Sequence, residues 1–168
     1  MSIDTLSVFE EFELRSYKKM IASEYADWLL NLKNWVNFLT LTFKDITPPD
    51  VARSKFNYLV QVLNRDAFGK HYVRKVGHSY FSYVLAVEYQ RRGVIHFHVL
   101  TDRNINYDLL HRYWNIAAGF AWAEPVKDKC KVIAYCSKYC VKGGNVDIYE
   151  SESYKTPMIG ALPPYWWK

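Results

Sequence analysis

The feature that most constrains this chain is a pair of β-rich segments joined by the tripeptide Arg91-Arg92-Gly93. Residues 80–90 and 94–101 are rich in β-branched and aromatic side chains, which is typical of strands. Three-residue hairpin loops favour glycine at the position that takes the left-handed conformation. The sequence therefore predicts a tight antiparallel hairpin, with Gly93 in that conformation and the residues on either side of the loop paired.

The register of this hairpin brings two histidines and a glutamate together. Counting outward from the loop places Glu88 opposite His96 and Ala86 opposite His98. Directly opposed residues share a sheet face, with Cβ atoms ~5 Å apart. Two imidazoles and a carboxylate are a ligand set for Mn, Fe or Zn, and for Mg when substrate phosphate completes the shell. We therefore predict a divalent metal site, Mn or Mg, at Glu88, His96 and His98; the alternative is that the histidines are only solvated.

A second feature is the helix predicted for residues 129–142, which ends at the Gly143-Gly144 pair. At ~100° per residue, two tyrosines and two lysines share one face of it. They are Tyr135, Lys138, Tyr139 and Lys142. A phenol can attack a phosphodiester to form a phosphotyrosine, and neighbouring ammonium groups stabilise phosphate charge. An ordinary half-exposed helix has the same composition, so this helix alone does not decide the function.

The remaining segments indicate an α+β domain. We predict helices over residues 13–34, 50–67 and 106–118, and strands over residues 37–43 and 120–126. From residue 37 onward the order is β-α-β-β-α-β-α, which predicts a central antiparallel sheet with flanking helices of the ferredoxin-like kind. We expect one domain over residues 1–168, and the tail at 145–168 receives no assignment.

The charge balance points to a polyanionic partner. Lys and Arg number 22 against 17 Asp and Glu, a net charge of +5, and clustered cations bind phosphate backbones by releasing counterions. The predicted DNA contacts are Lys70, Arg74, Lys75, Arg91 and Arg92. No apolar run approaches the ~20 residues that span a bilayer, and the N-terminal segment is acidic, unlike a secretory signal. We expect an intracellular protein in the cytoplasm of a host cell, with neither a membrane nor a small-molecule substrate as partner.

Three cysteines lie close together near the end of the chain, at positions 130, 136 and 140. An odd number argues against a disulfide framework. A zinc site is the other use for such residues, but their spacing has no Cys-x-x-Cys pair, and the second and third face the core side of the predicted helix. We therefore do not assign them to the functional site.

Taken together, these motifs resemble those of the HUH endonucleases, named for a His-hydrophobic-His sequence. FLTLTF (38–43) resembles their first motif, HFHV (96–99) their metal motif and YCSKYCVK (135–142) their tyrosine motif, and the match spans residues 36–144. The resemblance implies an RRM-like nuclease fold with Glu88 as the third metal ligand. It also implies a rolling-circle replication initiator, from a plasmid or from a phage or virus with single-stranded DNA.

The resemblance implies a mechanism as well. A tyrosine attacks the DNA, leaving a 5′-phosphotyrosine and a free 3′-OH that primes synthesis, and a second transesterification rejoins the strand. The two Tyr-x-x-Lys units resemble phage-type initiators with two active tyrosines. YCSK resembles the circovirus motif, which favours Tyr135 as the first nucleophile, whereas the pattern of some plasmid initiators favours Tyr139. The helix macrodipole slightly favours a phenolate at Tyr135, and the choice between the two stays open.

The expected partners follow from the same comparison. Single-stranded DNA at a replication origin is the substrate. The chain has no GxxxxGK[ST] loop, so we expect a separate helicase and a polymerase to act with it. Two alternatives have similar sequence features: a transposase of the insertion-sequence type, and a non-catalytic module that stacks single-stranded bases on an aromatic sheet. The second would need neither the histidine pair nor the paired tyrosines.

Overall fold

The computed structural model describes residues 8–72, 81–90, 92–143 and 146–149, with side chains described for residues 11–72, 81–90 and 92–138. The helices are α1 (Val8–Leu32), α2 (Pro49–Phe68), α3 (Tyr107–Ala117) and α4 (Lys129–Gly143). The strands are β1 (Asn37–Phe43), β2 (Tyr83–Tyr89), β3 (Ile95–Thr101), β4 (Gly119–Pro125) and β5 (Val146–Tyr149). The predicted α+β class is confirmed. Within the described residues, no helix combines the length and the apolar character needed to cross a membrane.

The five strands form one antiparallel sheet in the order β4-β1-β3-β2-β5. The order β1-α2-β2-β3-α3-β4 along the chain, with those strands arranged 4-1-3-2 in space, is the ferredoxin-like arrangement. Two further elements were not fully predicted. Helix α1 begins at Val8 and not at residue 13, and the tail left unassigned contains β5, which extends the sheet beside β2.

The β2–β3 hairpin has the register predicted from its loop. Gly93 has φ +76°, in the left-handed region, and the Gln90 N–H donates to the Val94 carbonyl at 3.0 Å. Strand pairing then places Glu88 opposite His96 and Ala86 opposite His98. The prediction that these side chains share one face is therefore confirmed.

One face of the sheet is closed by α2 and α3. Every second residue of β1 and β3 points into this core, with the intervening residues on the opposite face. The core residues of these two strands are Leu39, Leu41, Phe43, Ile95, Phe97 and Val99. Trp114 of α3 is fully buried among them, with its ring 5.1 Å from that of Phe43, and its indole N–H donates to the Thr42 carbonyl at 3.1 Å.

The other face is covered over part of its area by α1 and α4. Four sheet residues are buried there: Phe38, Val84, Ala86 and Leu100. Leu29 of α1 and Ile133 and Cys136 of α4 pack on them, so the predicted core side of α4 is confirmed for Ile133 and Cys136. The side chain of Cys140 lies outside the described residues. This cover stops before the upper ends of the strands, where Thr42, His96 and Glu88 are only partly buried.

A buried ion pair ties the end of α1 to the lower end of the sheet, away from the hairpin loop. The Lys33 ammonium donates to the Ser82 hydroxyl and lies 3.4 Å from the Asp102 carboxylate. The Ser82 N–H donates to the same carboxylate at 2.7 Å. The side chains of Lys33 and Asp102 are only 8% and 13% exposed. Because both charges are removed from water, each depends on the other.

Gly119 sets how closely β4 approaches β1. A Cβ at this position would lie 2.6 Å from the backbone nitrogen of Lys44, and closer still to the carbonyl oxygen of Thr42. The Lys44 N–H also donates to the Ala118 carbonyl at 2.9 Å. Only glycine lets the edge strand begin against β1 at this distance, so the position of β4 at the upper end of the sheet depends on it.

Candidate active site

Glu88 and His98 are in direct contact on the partly open face. The Glu88 carboxylate lies 3.1 Å from Nε2 of His98, whose side chain is buried, while Glu88 keeps 18% of its surface exposed. Across the described part of the chain, no three His, Cys, Asp or Glu side chains are arranged to hold a metal ion. The carboxylate–imidazole hydrogen bond uses atoms that a metal would need. The metal site at Glu88, His96 and His98 therefore stays a prediction, and it requires these side chains to turn.

His96 has the properties of a residue that is able to become a ligand. Its Nε2 atom is buried and meets no hydrogen-bond partner among the described residues, while Nδ1 lies 3.5 Å from the Gln90 amide. Burial lowers the pKa of His96; Glu88 acts in the opposite direction and Arg92 lowers the pKa further. Metals bind the neutral imidazole, so this environment maintains the form that a metal requires. The residues thus fit a divalent cation in donor chemistry.

Tyr135 lies on α4 directly against the histidine pair. Its ring meets that of His98 edge-on, with centroids 6.0 Å apart, and it meets Phe38 in the same manner at 5.8 Å. The side chain is still 45% exposed, so the ring is held from one side while part of it faces solvent. Ile133 and Cys136 anchor this part of α4 on the sheet. The first tyrosine of the predicted motif is therefore placed beside His98.

The rest of the tyrosine motif is partly described. Lys138 is exposed on α4, three residues after Tyr135 and therefore on a neighbouring part of the helix surface. The backbone of α4 continues as a helix through positions 139 and 142. The side chains of Tyr139 and Lys142 lie outside the described residues, so their predicted roles are untested.

A polar cleft of about 390 Å³ opens beside His96, between the end of β1 and the tip of the hairpin. Its walls include Thr42, Lys44, Gln90 and Arg92. Lys44 and Arg92 are exposed and supply two positive charges, against one carboxylate from Asp45. A phosphate group at this cleft would be close to His96 and would meet a net positive potential.

A family model described as replication-associated protein, of the ORF2 group, matches residues 36–144. The chain belongs to this family. The matched range runs from the residue before β1 to the residue after α4, and it contains Glu88, both histidines and Tyr135. No curated protein and no solved structure matches the chain. Membership supports a protein of the rolling-circle Rep type that acts on DNA in replication.

The structure divides the basic residues predicted for this replication-associated protein. Arg92 is exposed beside His96, as expected of a DNA contact. Lys70 is not brought to the site. It follows Phe68, whose ring lies 5.5 Å from the Arg103 guanidinium beyond the lower end of β3, and five strand residues, about 17 Å, separate that end from His96. Arg74, Lys75 and Arg91 lie outside the described residues.

Sequence reasoning missed several residues around the site of this replication-associated protein. Lys44 is one, although its position at the end of the first motif strand was available as a signal. Phe120 and Trp122 of β4 are others, both exposed on the face that carries the histidines. The alternation of large and small residues in FAWA (120–123) was visible in the sequence, but the pattern alone does not reveal which face is covered.

Proposed function

We propose that this replication-associated protein is an HUH-type endonuclease that nicks and rejoins single-stranded DNA and so initiates rolling-circle replication. One observation carries the proposal: the ring of Tyr135 packs against His98, which is hydrogen-bonded to Glu88 and lies two residues from His96. A nucleophile, a carboxylate and two imidazoles are thus gathered on one partly open surface. A structural role alone would not require a half-exposed phenol beside a buried imidazole–carboxylate pair.

The residues around Tyr135 divide the work. A divalent metal, Mn²⁺ or Mg²⁺, held by Glu88, His96 and His98 would act as a Lewis acid on the scissile phosphate. Lys44 and Arg92 would bind phosphate oxygens at the cleft, because both are exposed cations beside His96. These contacts fix the position of the strand, and correct positioning supplies a large part of the rate enhancement in such reactions.

The chemical step exchanges one phosphodiester for another. The Tyr135 oxygen loses its proton and bonds to phosphorus, the bond from phosphorus to the 3′-oxygen breaks, and that oxygen takes up a proton as it leaves. Lys138 would stabilise the charge on the phosphate. Because the phosphotyrosine conserves the energy of the broken bond, a later attack by a 3′-OH rejoins the DNA without an external energy source.

The test is the formation of a covalent adduct. Labelled single-stranded oligonucleotides are incubated with the protein and Mn²⁺, and a denaturation-resistant protein–DNA band is measured. We expect Tyr135→Phe to abolish the adduct on a first-strand substrate and Tyr139→Phe to retain it. Tyr58→Phe is the matched control, because Tyr58 is a similarly exposed tyrosine on α2, across the sheet.

The outcomes separate the alternatives. Adduct lost only in Tyr139→Phe would reverse the order of the two tyrosines. Full adduct in the Tyr135→Phe, Tyr139→Phe double variant would rule out the tyrosine mechanism. DNA binding by the wild type without any adduct would favour the non-catalytic module.

A further inference from the structure

Two large aromatic side chains of β4 face solvent beside the candidate active site. Phe120 and Trp122 are 58% and 55% exposed. Their neighbours Ala121 and Ala123 face the closed core, where Ala121 is fully buried. A strand with one covered face ordinarily turns its large apolar residues inward and its polar residues outward. β4 does the reverse, and exposed aromatic surface of this kind marks a binding site.

The strand register connects these rings to the histidines. Pairing across three strands gives two rows, Phe120–Thr42–His96 and Trp122–Thr40–His98. Neighbouring strands are ~4.8 Å apart, so each aromatic residue starts about 10 Å from a histidine. The threonine between them is partly exposed in both rows. The two rings, the threonines and His96 therefore border one surface, with β4 at the edge of the sheet.

We propose that Phe120 and Trp122 form a platform on which bases of the single-stranded DNA stack next to the scissile phosphate. The proposal rests on the function proposed above, because the strand must cross the histidine pair. Every base has a π-face, so aromatic rings bind single strands with little dependence on sequence. The exposed cations Lys44 and Arg92 lie beside His96 and supply the complementary contacts to phosphate.

The charge on β4 indicates which part of the strand meets it. Glu124 is the next residue on the same face after Trp122, and it is exposed. A carboxylate at this position repels phosphate groups. The DNA therefore presents its bases to β4 and keeps its backbone toward the cleft at Lys44 and Arg92. A peptide partner would gain no comparable advantage from this division into an aromatic edge and a cationic cleft.

The test measures binding apart from chemistry. Fluorescence anisotropy with a labelled oligonucleotide, without added metal, gives Kd for each variant. We expect Phe120→Leu and Trp122→Leu each to weaken binding roughly ten-fold, since stacking on one ring contributes at least that factor for a base. Trp122→Phe keeps a ring and stays close to wild type. Tyr58→Leu, an exposed aromatic on α2, is the matched control and leaves Kd unchanged.

A second measurement identifies the stacked base. Oligonucleotides with a single abasic position, moved one nucleotide at a time, are bound to wild type and to Trp122→Leu. At the stacked position the abasic change weakens wild-type binding and has no further effect on Trp122→Leu. Losses that multiply at every position would overturn the proposal. Circular dichroism of each variant excludes unfolding as the cause.

The results separate this proposal from the one it rests on. Wild-type affinity in both leucine variants, with a covalent adduct still formed, overturns the platform alone. Loss of affinity in both variants without any adduct from wild type supports the platform and contradicts the nuclease. Absence of single-strand binding by the wild type overturns the platform.

Discussion

The two faces of the sheet are built from the same strands and differ in what covers them. On β3, Phe97 points into the core closed by α2 and α3, while His96 and His98 point to the face that α1 and α4 cover only in part. On β1, Leu41 is buried on the first face and Thr42 is partly exposed on the second. Alternation along a strand thus places a core residue and a candidate site residue one position apart.

This difference separates the residues that determine stability from those that determine chemistry. The closed face is continuous apolar packing, and its side chains cannot change without leaving a cavity. The second face is apolar only under α1 and α4; beyond them it carries threonine, histidine, glutamate and exposed aromatic rings. Substitutions on the two faces should therefore affect different measurements.

The largest effect is expected on the chemistry of the open face. His96→Asn should reduce adduct formation in Mn²⁺ to background, because it removes a predicted metal ligand, while DNA affinity stays near wild type since phosphate contacts dominate binding. His96→Ala combined with His98→Ala should do the same. His111→Asn on α3 is the matched control and should retain the adduct. Normal nicking by the double variant in Mn²⁺ would show that the metal assignment is wrong.

The closed face should respond in stability. Trp114→Ala should lower the free energy of unfolding by about 3–5 kcal/mol, because it leaves a cavity beside Phe43 and removes the hydrogen bond to the Thr42 carbonyl. Ile116→Ala, on the same helix at 84% exposure, should change it by about 0.5 kcal/mol or less. Urea denaturation measures both. Equal unfolding midpoints for the two variants would contradict this account of the core.

The ion pair at the lower end of the sheet tests how α1 is fastened to the partly covered face. Lys33→Met should lower the free energy of unfolding by about 3 kcal/mol, because Asp102 is left without its cation in a place that is poorly exposed. Adding Asp102→Leu should recover part of the loss. The control is Lys131→Met, which removes an ion pair with Asp128 at the surface and should leave the midpoint unchanged. A Lys33→Met midpoint equal to that of the control would show that the pair does not fasten α1.

The smallest effect concerns the charges at the two ends of the sheet. Lys44→Gln and Arg92→Gln should each reduce the slope of log K against log salt concentration by about 0.7, the value for one phosphate contact on a single strand. Lys70→Gln, at the lower end, should leave the slope unchanged. Titrations between ~50 and ~200 mM salt measure this. A larger change from Lys70→Gln than from Arg92→Gln would place the DNA elsewhere.

Local rules were sufficient to predict the hairpin, and with it the pairing of Glu88 with His96. A glycine at the third loop position fixes the register, and the register fixes the face. The polar face of α4 was equally accessible, because helical spacing determines it. These features depend on residues close in sequence, which is why they could be predicted before the fold was known.

Other features depend on which elements pack together. The exposure of Phe120 and Trp122 follows from α1 and α4 ending short of β4, and no local pattern states that. β5 has only four residues and is defined by its pairing with β2. The separation of Lys70 from the site likewise depends on where α2 ends in space. The Glu88–His98 hydrogen bond depends on side-chain rotation, which register does not determine.

The contact between Tyr135 and His98 has a consequence for strand exchange. Helix α4 rises 1.5 Å per residue, so position 139 lies about 6 Å further along its axis than position 135. Because α4 is anchored through Ile133 and Cys136, one phosphate held at the histidines cannot be equally near both tyrosines. If both act, the reaction advances by one helical turn between its two steps. The order of cutting and joining would then be set by distance along a rigid rod, with no difference in acidity between the phenols required.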